Sequence, residues 1–192
     1  MQTPAASEFR EIGGRFGDLC EGASGQEWDA PSPVPEWAAR DVVRHLVEWF
    51  PAFLADGAGI ALTPGPSCDE DPAASWRHLC DQVIAILEDP ATEDRALVNP
   101  HIGRVPLPQA IAQFFTNDVF QHTWDLAKAT GQDATLDPDR CAMMLAGSEP
   151  YEEAMRGSGQ YGPRVEVPDD ADPQSKLLGF IGRDPSWEPP AA

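Results

Sequence analysis

Apolar residues recur at helical spacing along most of the chain and mark out five helical segments. The first, "ASEFREIGGRFGDLCEG", places Phe9, Ile12, Phe16, Leu19 and Cys20 on one stripe, although Gly13, Gly14 and Gly17 weaken it as a helix. A turn-rich connector, "ASGQEWDAPSPVP", precedes a second helix through "EWAARDVVRHLVEWFPAFLAD", with Pro35 fitted to its first turn. Val42, Val43, Leu46, Val47, Phe50 and Leu54 form its apolar face, and Pro51 is expected to kink it or loosen its last turn. "PAASWRHLCDQVIAILED" reads as a third helix, with Pro72 at its start and Asp71 as its cap. The fourth spans residues 107 to 130 and stops at Gly131. "LDPDRCAMMLAGSEPYEEAM" supplies a short fifth helix with Asp137 and Pro138 at its start. No convincing strand run occurs before residue 163.

Beyond Gly157 the chain turns Gly/Pro-rich, with one apolar patch at Leu177, Leu178, Phe180 and Ile181. The reading is therefore an all-α helical bundle over residues 1–156 and an irregular C-terminal tail, 157–192, packed on it through that patch. Four substantial helices with loops of 13 to 19 residues suggest an up-and-down bundle, though loops of that length also permit crossovers.

The fourth helix breaks its own pattern. An α-helix turns about 100° per residue. Measured from Ile111, Asp118 projects near −20°, His122 near 20° and Asp125 near −40°, all roughly inside the apolar stripe. Asp118 and His122 are four apart and so side by side. An ionised carboxylate left unpaired there would cost several kcal/mol, on the order of other buried charges. Two arrangements compensate it: an internal Asp–His ion pair, joined by Arg44 or a water, or a divalent metal held by residues one helical turn apart.

A metal requires a third ligand, and the chain has three other histidines. His78 projects away from the stripe of its helix and reads as a surface residue. His101 sits in the loop "NPHIGR", unfixed by helix geometry. His45 flanks the apolar face of the second helix, in line with Asp41, Trp49, Ala38 and Ala52, and is the best candidate. Alone it would read as a satisfied core histidine; beside a buried Asp-x-x-x-His on another long helix it reads as a ligand.

Composition narrows the partners. Thirteen Lys and Arg stand against 32 Asp and Glu, a net charge of −19, with no basic cluster. Phosphate repulsion then argues against nucleic acid and against anionic membrane surfaces. The start "MQTPAASEFREIGG" lacks a cationic n-region and an apolar h-region, and no run of about 18 apolar residues is present, so the expectation is a cytoplasmic protein without a membrane span. Cys20, Cys68, Cys80 and Cys141 are scattered and read as reduced packing residues.

Two segments carry a family resemblance. "PEWAARDVVRHLVEW", with its Trp, Arg-Asp pair and His, resembles the helix-two signature of the DinB/YfiT-like superfamily, in particular its mycothiol-dependent maleylpyruvate isomerase-type branch. "DVFQHTWDLAKATGQD" is similar to that branch's second signature, and "VPDDADPQSKLLGFIGRDPSW" to the closing segment of its small members. The resemblance implies an up-down-down-up four-helix bundle with one metal at its open end. It maps the metal triad onto His45, Asp118 and His122, with Asp118 where many relatives have His or Glu. Asp125 belongs to the signature without being a ligand, and is expected to orient an imidazole or pair with Arg44.

Two histidines and one carboxylate leave an open position in a tetrahedral zinc site; nickel or iron(II) could take the same ligands. The resemblance implies a low-molecular-weight thiol, mycothiol in type, that ionises at the metal and attacks a small electrophile, as a thiol transferase or thiol-assisted isomerase. A non-catalytic metal-binding bundle that recognises a small ligand or a protein partner is the alternative. A homodimer is compatible with the sequence, though no feature demands one.

Overall fold

The computed structural model describes residues 3–190. They are mostly helical, with one small antiparallel sheet. The long helices are α1 (Pro4–Gly22), α2 (Ala39–Ala58) and α3 (Pro72–Glu88). After the hairpin β1 (Ala96–Asn99) and β2 (Gly103–Pro106) comes α4 (Leu107–Ala110), which continues through a π-helical turn, Ile111–Thr116, into α5 (Asn117–Ala129). Three shorter helices follow: α6 (Pro138–Ser148), α7 (Glu152–Gly157) and α8 (Pro173–Phe180).

One local device starts four of these helices. In α1, α3, α6 and α8 a proline occupies the first turn, and the residue before it accepts a hydrogen bond from a first-turn amide. Those caps are Thr3, Asp71, Asp137 and Asp172. The cap satisfies an amide that lacks a helical partner, and the proline fixes φ where no amide is needed. Helix α2 begins differently from the sequence expectation. Pro35 stays outside it, and Asp41 instead accepts from the Ala38 amide at 2.9 Å, starting the helix at Ala39. Pro51 does not end it: α2 runs on to Ala58 and closes at Gly59, whose φ of 63° suits a glycine cap.

α1 packs on α3 and α5, and α2 packs on the same two helices. Their shared core is aromatic. Phe50 of α2 stacks on Phe115 of the π turn at 3.7 Å between centroids, and Phe16 meets Trp76 at 4.5 Å. The glycines that weaken α1 have a use here: the Trp76 indole donates to the Gly13 carbonyl at 3.1 Å, and a Cβ on Gly17 would sit 3.4 Å from the indole nitrogen. Small residues let the largest side chain of α3 lie against the α1 backbone.

The hairpin at 96–106 corrects the expectation of no strand before residue 163. Its strands are four residues each and only Leu97 is fully buried, so neither produces a visible alternation. The turn chemistry fits a three-residue loop closed by Gly103 at φ 84°, with Asn99 Oδ1 accepting from the His101 amide. Leu97 anchors the hairpin on α2, where a Cβ on Gly57 would come within 2.8 Å of it.

The apolar patch near the C-terminus behaves as the sequence implies. Leu177, Leu178, Phe180 and Ile181 are buried, and α8 packs on α6. Gln174 clamps the segment by accepting from the Leu136 amide and donating to the Ala134 carbonyl. Phe115 is fully buried against Phe50 and Trp49 of α2, so Phe115→Ala should cost about 3–5 kcal/mol in denaturant unfolding, the usual range for emptying a buried phenyl site. A loss under about 1 kcal/mol would mean that this stack is not central to the core.

Candidate metal centre

The facing sides of α2 and α5 carry polar groups at the margin of this apolar core. His45 stands one turn before Trp49 on α2; Asp118 and His122 stand one turn apart on α5. His45 Nε2 lies 3.2 Å from Asp118 Oδ2, and His122 Nε2 lies 3.6 Å from Asp118 Oδ1. Trp49 Nε1 donates to Asp118 Oδ2 at 3.0 Å. The ligand atoms of the three residues lie within 4.8 Å of one another. His78 and His101 take no part. His78 is half-buried, contacting the Thr63 carbonyl at 2.9 Å and bracing the loop after α2, whereas His101 is exposed on the hairpin turn.

The π turn sits immediately before these residues. A turn with i→i+5 bonding, such as the Asn117 amide to the Ala112 carbonyl, spends an extra residue and shifts the phase of everything after it by about 100°. It therefore helps decide which side of α5 meets α2. Trp37 covers the histidines, stacking on His122 at 5.9 Å and lying 5.1 Å from His45. Its position follows a backbone at Glu36 with φ 68°, an uncommon conformation for a residue with a Cβ.

Behind His122 lies Asp125, which has no exposed surface. Its Oδ2 is 2.9 Å from His122 Nδ1. Arg183, 58 residues later, donates to both oxygens, from Nε to Oδ1 at 2.9 Å and from Nη2 to Oδ2 at 3.0 Å. Asp125 thus orients an imidazole, as expected, but its cation is Arg183 and not Arg44. Arg44 is bound instead to Asp41 and Asp69, beside a cleft of about 380 Å³ that the triad does not line. No sequence signal within α5 points to Arg183. Its placement depends on the end of α8, where Gly182 at φ 85° reverses the chain and the Arg183 amide donates to the Leu178 carbonyl at 2.8 Å.

Burial pushes the Asp125 carboxyl up, but the charge of Arg183 and the hydrogen bonds from His122 and Arg183 outweigh it and hold it below its ordinary value. An ionised carboxylate only accepts, so His122 Nδ1 is the donor in this contact and Nε2 is the nitrogen turned toward the triad. His122 Nε2 faces Asp118 Oδ1 at 3.6 Å, outside hydrogen-bond range. Nitrogen and oxygen ligands about 2.0–2.2 Å from one tetrahedral ion stand about 3.3–3.6 Å apart, close to the separations found here. The donor set fits a divalent metal. From the C-terminal side Tyr161 approaches the same region; burial raises its phenol above the ordinary value and the nearby Asp118 carboxylate adds to this.

Residues 9–127 match the model of the mycothiol maleylpyruvate isomerase N-terminal domain. The chain belongs to that family. All three members of the triad, and Asp125, fall inside the match; Tyr161 and Arg183 lie beyond it. The family chain is also 27% identical over 170 residues to uncharacterized proteins from two strains of Mycobacterium tuberculosis, covering 88% of its own length and 91% of theirs. No solved structure matches it at a significant level.

The depressed Asp125 carboxyl has a pH consequence. Its contribution to stability is fully present above the ordinary aspartate value, about 3.9, and is lost as pH falls through the lower folded value. Unfolding free energy should therefore decline below about pH 4 with a steeper slope in the wild type than in Asp125→Asn. Equal slopes would show that Asp125 titrates no differently in the folded and unfolded chains.

Proposed function

We propose that this protein binds one divalent metal through His45, Asp118 and His122, and uses it to activate a low-molecular-weight thiol toward a small electrophile. The observation that carries the reading is the convergence of His45 Nε2 and His122 Nε2 on the two oxygens of one carboxylate, at 3.2 and 3.6 Å. α1, α2, α3 and α5 are proposed to form the up-down-down-up bundle, since each of α1 and α2 packs on both α3 and α5. Residues 1–156 would be the metal-binding unit and 157–192 the segment packed on it. Membership of a mycothiol-related family supports a mycothiol-type thiol as the co-substrate, and a transferase or thiol-assisted isomerase as the reaction class.

Zinc is the first choice for a His₂Asp donor set, with nickel and iron(II) able to use the same ligands. When bound, the metal would supply the positive charge that keeps a coordinated thiol deprotonated near neutral pH. The protein's own contributions are visible in the arrangement of its side chains. Asp125 fixes the His122 ring orientation, Trp49 donates to one oxygen of Asp118, and Trp37 packs against both imidazoles. Among the described residues no helix is long and apolar enough to cross a membrane.

A ligand that binds only the folded state raises stability by mass action, about 2.7 kcal/mol at a hundredfold excess over its dissociation constant. Zinc should therefore raise the melting temperature at about pH 7.5, and the gain should shrink at about pH 5.5, where protons compete for the imidazoles. His45→Ala should remove most of the zinc effect and Asp118→Asn should weaken it, because an amide brings no charge to the ion. His78→Ala should leave it intact. Chelated and zinc-loaded wild type melting at one temperature would reduce the triad to an internal ion pair. Turnover is tested by conjugating low-molecular-weight thiols to a panel of electrophiles with and without chelator; metal binding without any chelator-sensitive turnover would favour the non-catalytic bundle.

A further inference from the structure

Arg183 links the C-terminal segment to the candidate metal centre, and the route is short. Asp125 Oδ2 accepts from Arg183 Nη2 and from His122 Nδ1 at the same time, at 3.0 and 2.9 Å. Arg183 Nε holds the other oxygen, so the carboxylate cannot rotate away from the imidazole while the guanidinium is in place. Asp125 has no exposed surface, and Arg183 is the one guanidinium bonded to it. Without the fork the carboxylate is held by the imidazole alone and is free to rotate, which removes what fixes His122 Nε2 toward the triad.

Arg183 in turn is placed by the docking of the last helix. It follows the α8 cap, with its amide on the Leu178 carbonyl, and Leu177, Leu178, Phe180 and Ile181 bury the preceding turns. Gly179 donates no side chain because none fits. Its carbonyl accepts from the Val165 amide, and a Cβ on it would come within 2.6 Å of the Val165 oxygen. Lys128 on α5 adds a further tie by pairing with Glu188 at 2.6 Å.

We propose that Arg183 is a positioning residue for the metal centre, and that docking of the C-terminal segment and metal retention by the triad are therefore coupled. The proposal rests on the metal reading given above. The coupling runs both ways, because a ligand that favours the docked state must be favoured by it to the same degree. A docked tail holds the His122 ring with Nε2 toward the triad; a bound metal, by fixing His122, holds Asp125 ready for the guanidinium. The family match ends at residue 127, so the element that completes the site comes from outside the matched region.

The experiment measures zinc affinity by competition with a chromogenic chelator, and hydrogen exchange over residues 173–187, in wild type, Arg183→Gln, Arg183→Lys and Gly179→Ala. Zinc should raise protection of 173–187 in wild type. Arg183→Gln should weaken zinc binding by about 10- to 100-fold, the range for losing a partner that orients a ligand. Arg183→Lys, which keeps the charge without the fork, should recover part of that loss. Gly179→Ala, which touches neither Asp125 nor Arg183, should weaken zinc binding and tail protection together. If Arg183→Gln folds by circular dichroism and binds zinc as wild type does, the coupling is wrong and Arg183 serves only to neutralise Asp125. If Arg183→Gln does not fold, Gly179→Ala decides: a loosened tail with unchanged zinc affinity overturns the proposal. Wild type that binds no zinc overturns the metal reading and this inference with it, whereas wild-type binding with unaffected variants overturns this inference alone.

Discussion

A carboxylate with no exposed surface has to be compensated, and Asp125 is such a group. Ionised, it requires donors on both oxygens and a counter-charge close by. The chain meets this with Arg183 from 58 residues away and His122 from the preceding helical turn. Much of the molecule follows from that demand. A cation must be delivered to the interior, so a C-terminal helix is docked and capped to aim it. The imidazole next to Asp125 must be a donor at Nδ1, so its other nitrogen is turned toward Asp118 and His45. Charge compensation at one residue thus dictates the chemistry available at the next.

Asp118, which is half-buried, is met in a different way. It receives a hydrogen bond from the Trp49 indole and contact from His45, but among the described residues no guanidinium or ammonium is bonded to it. A group in that condition has room for an added cation, and the surrounding aromatic rings define where it could sit. Trp37, Trp49 and the two imidazoles form a compact aromatic enclosure, with the histidine rings 4.9 Å apart. The enclosure is continuous with the core through contacts of Trp49 with Phe50 and Phe115, so positions at the centre inherit the rigidity of the packing below.

The long helices and the triad were legible because each has a local signature. Apolar periodicity marked α1 through α3, and Asp71-Pro72 and Asp137-Pro138 marked two starts. Asp118 and His122 stood out because they interrupted a stripe, and His45 because it flanked another. The missed features are those whose cause lies far along the chain. Nothing near Asp125 in sequence names Arg183, so Arg44 was the nearer and mistaken choice of partner. The hairpin is too short to show alternation, and only Leu97 is anchored firmly. Pro35 seemed suited to a helix start until Asp41, by capping Ala38, moved that start downstream. The π turn leaves no compositional trace at all, since it differs from an α-helix in how residues are bonded and not in which residues they are.

That turn has a consequence for how relatives of this chain can diverge. Ile111–Thr116 accommodates a surplus residue within an otherwise regular helix. Losing one residue there would give the helix better internal bonding, and by a local measure the shortened chain would be improved. The same loss would rotate Asp118, His122 and Asp125 together by about 100° about the helix axis, away from His45, Trp49 and Arg183. Length in this segment is therefore constrained more tightly than identity. A gap placed between residues 111 and 116 when chains are aligned would be a sign that the partner lacks this centre, even where every one of its ligand residues has an identical counterpart.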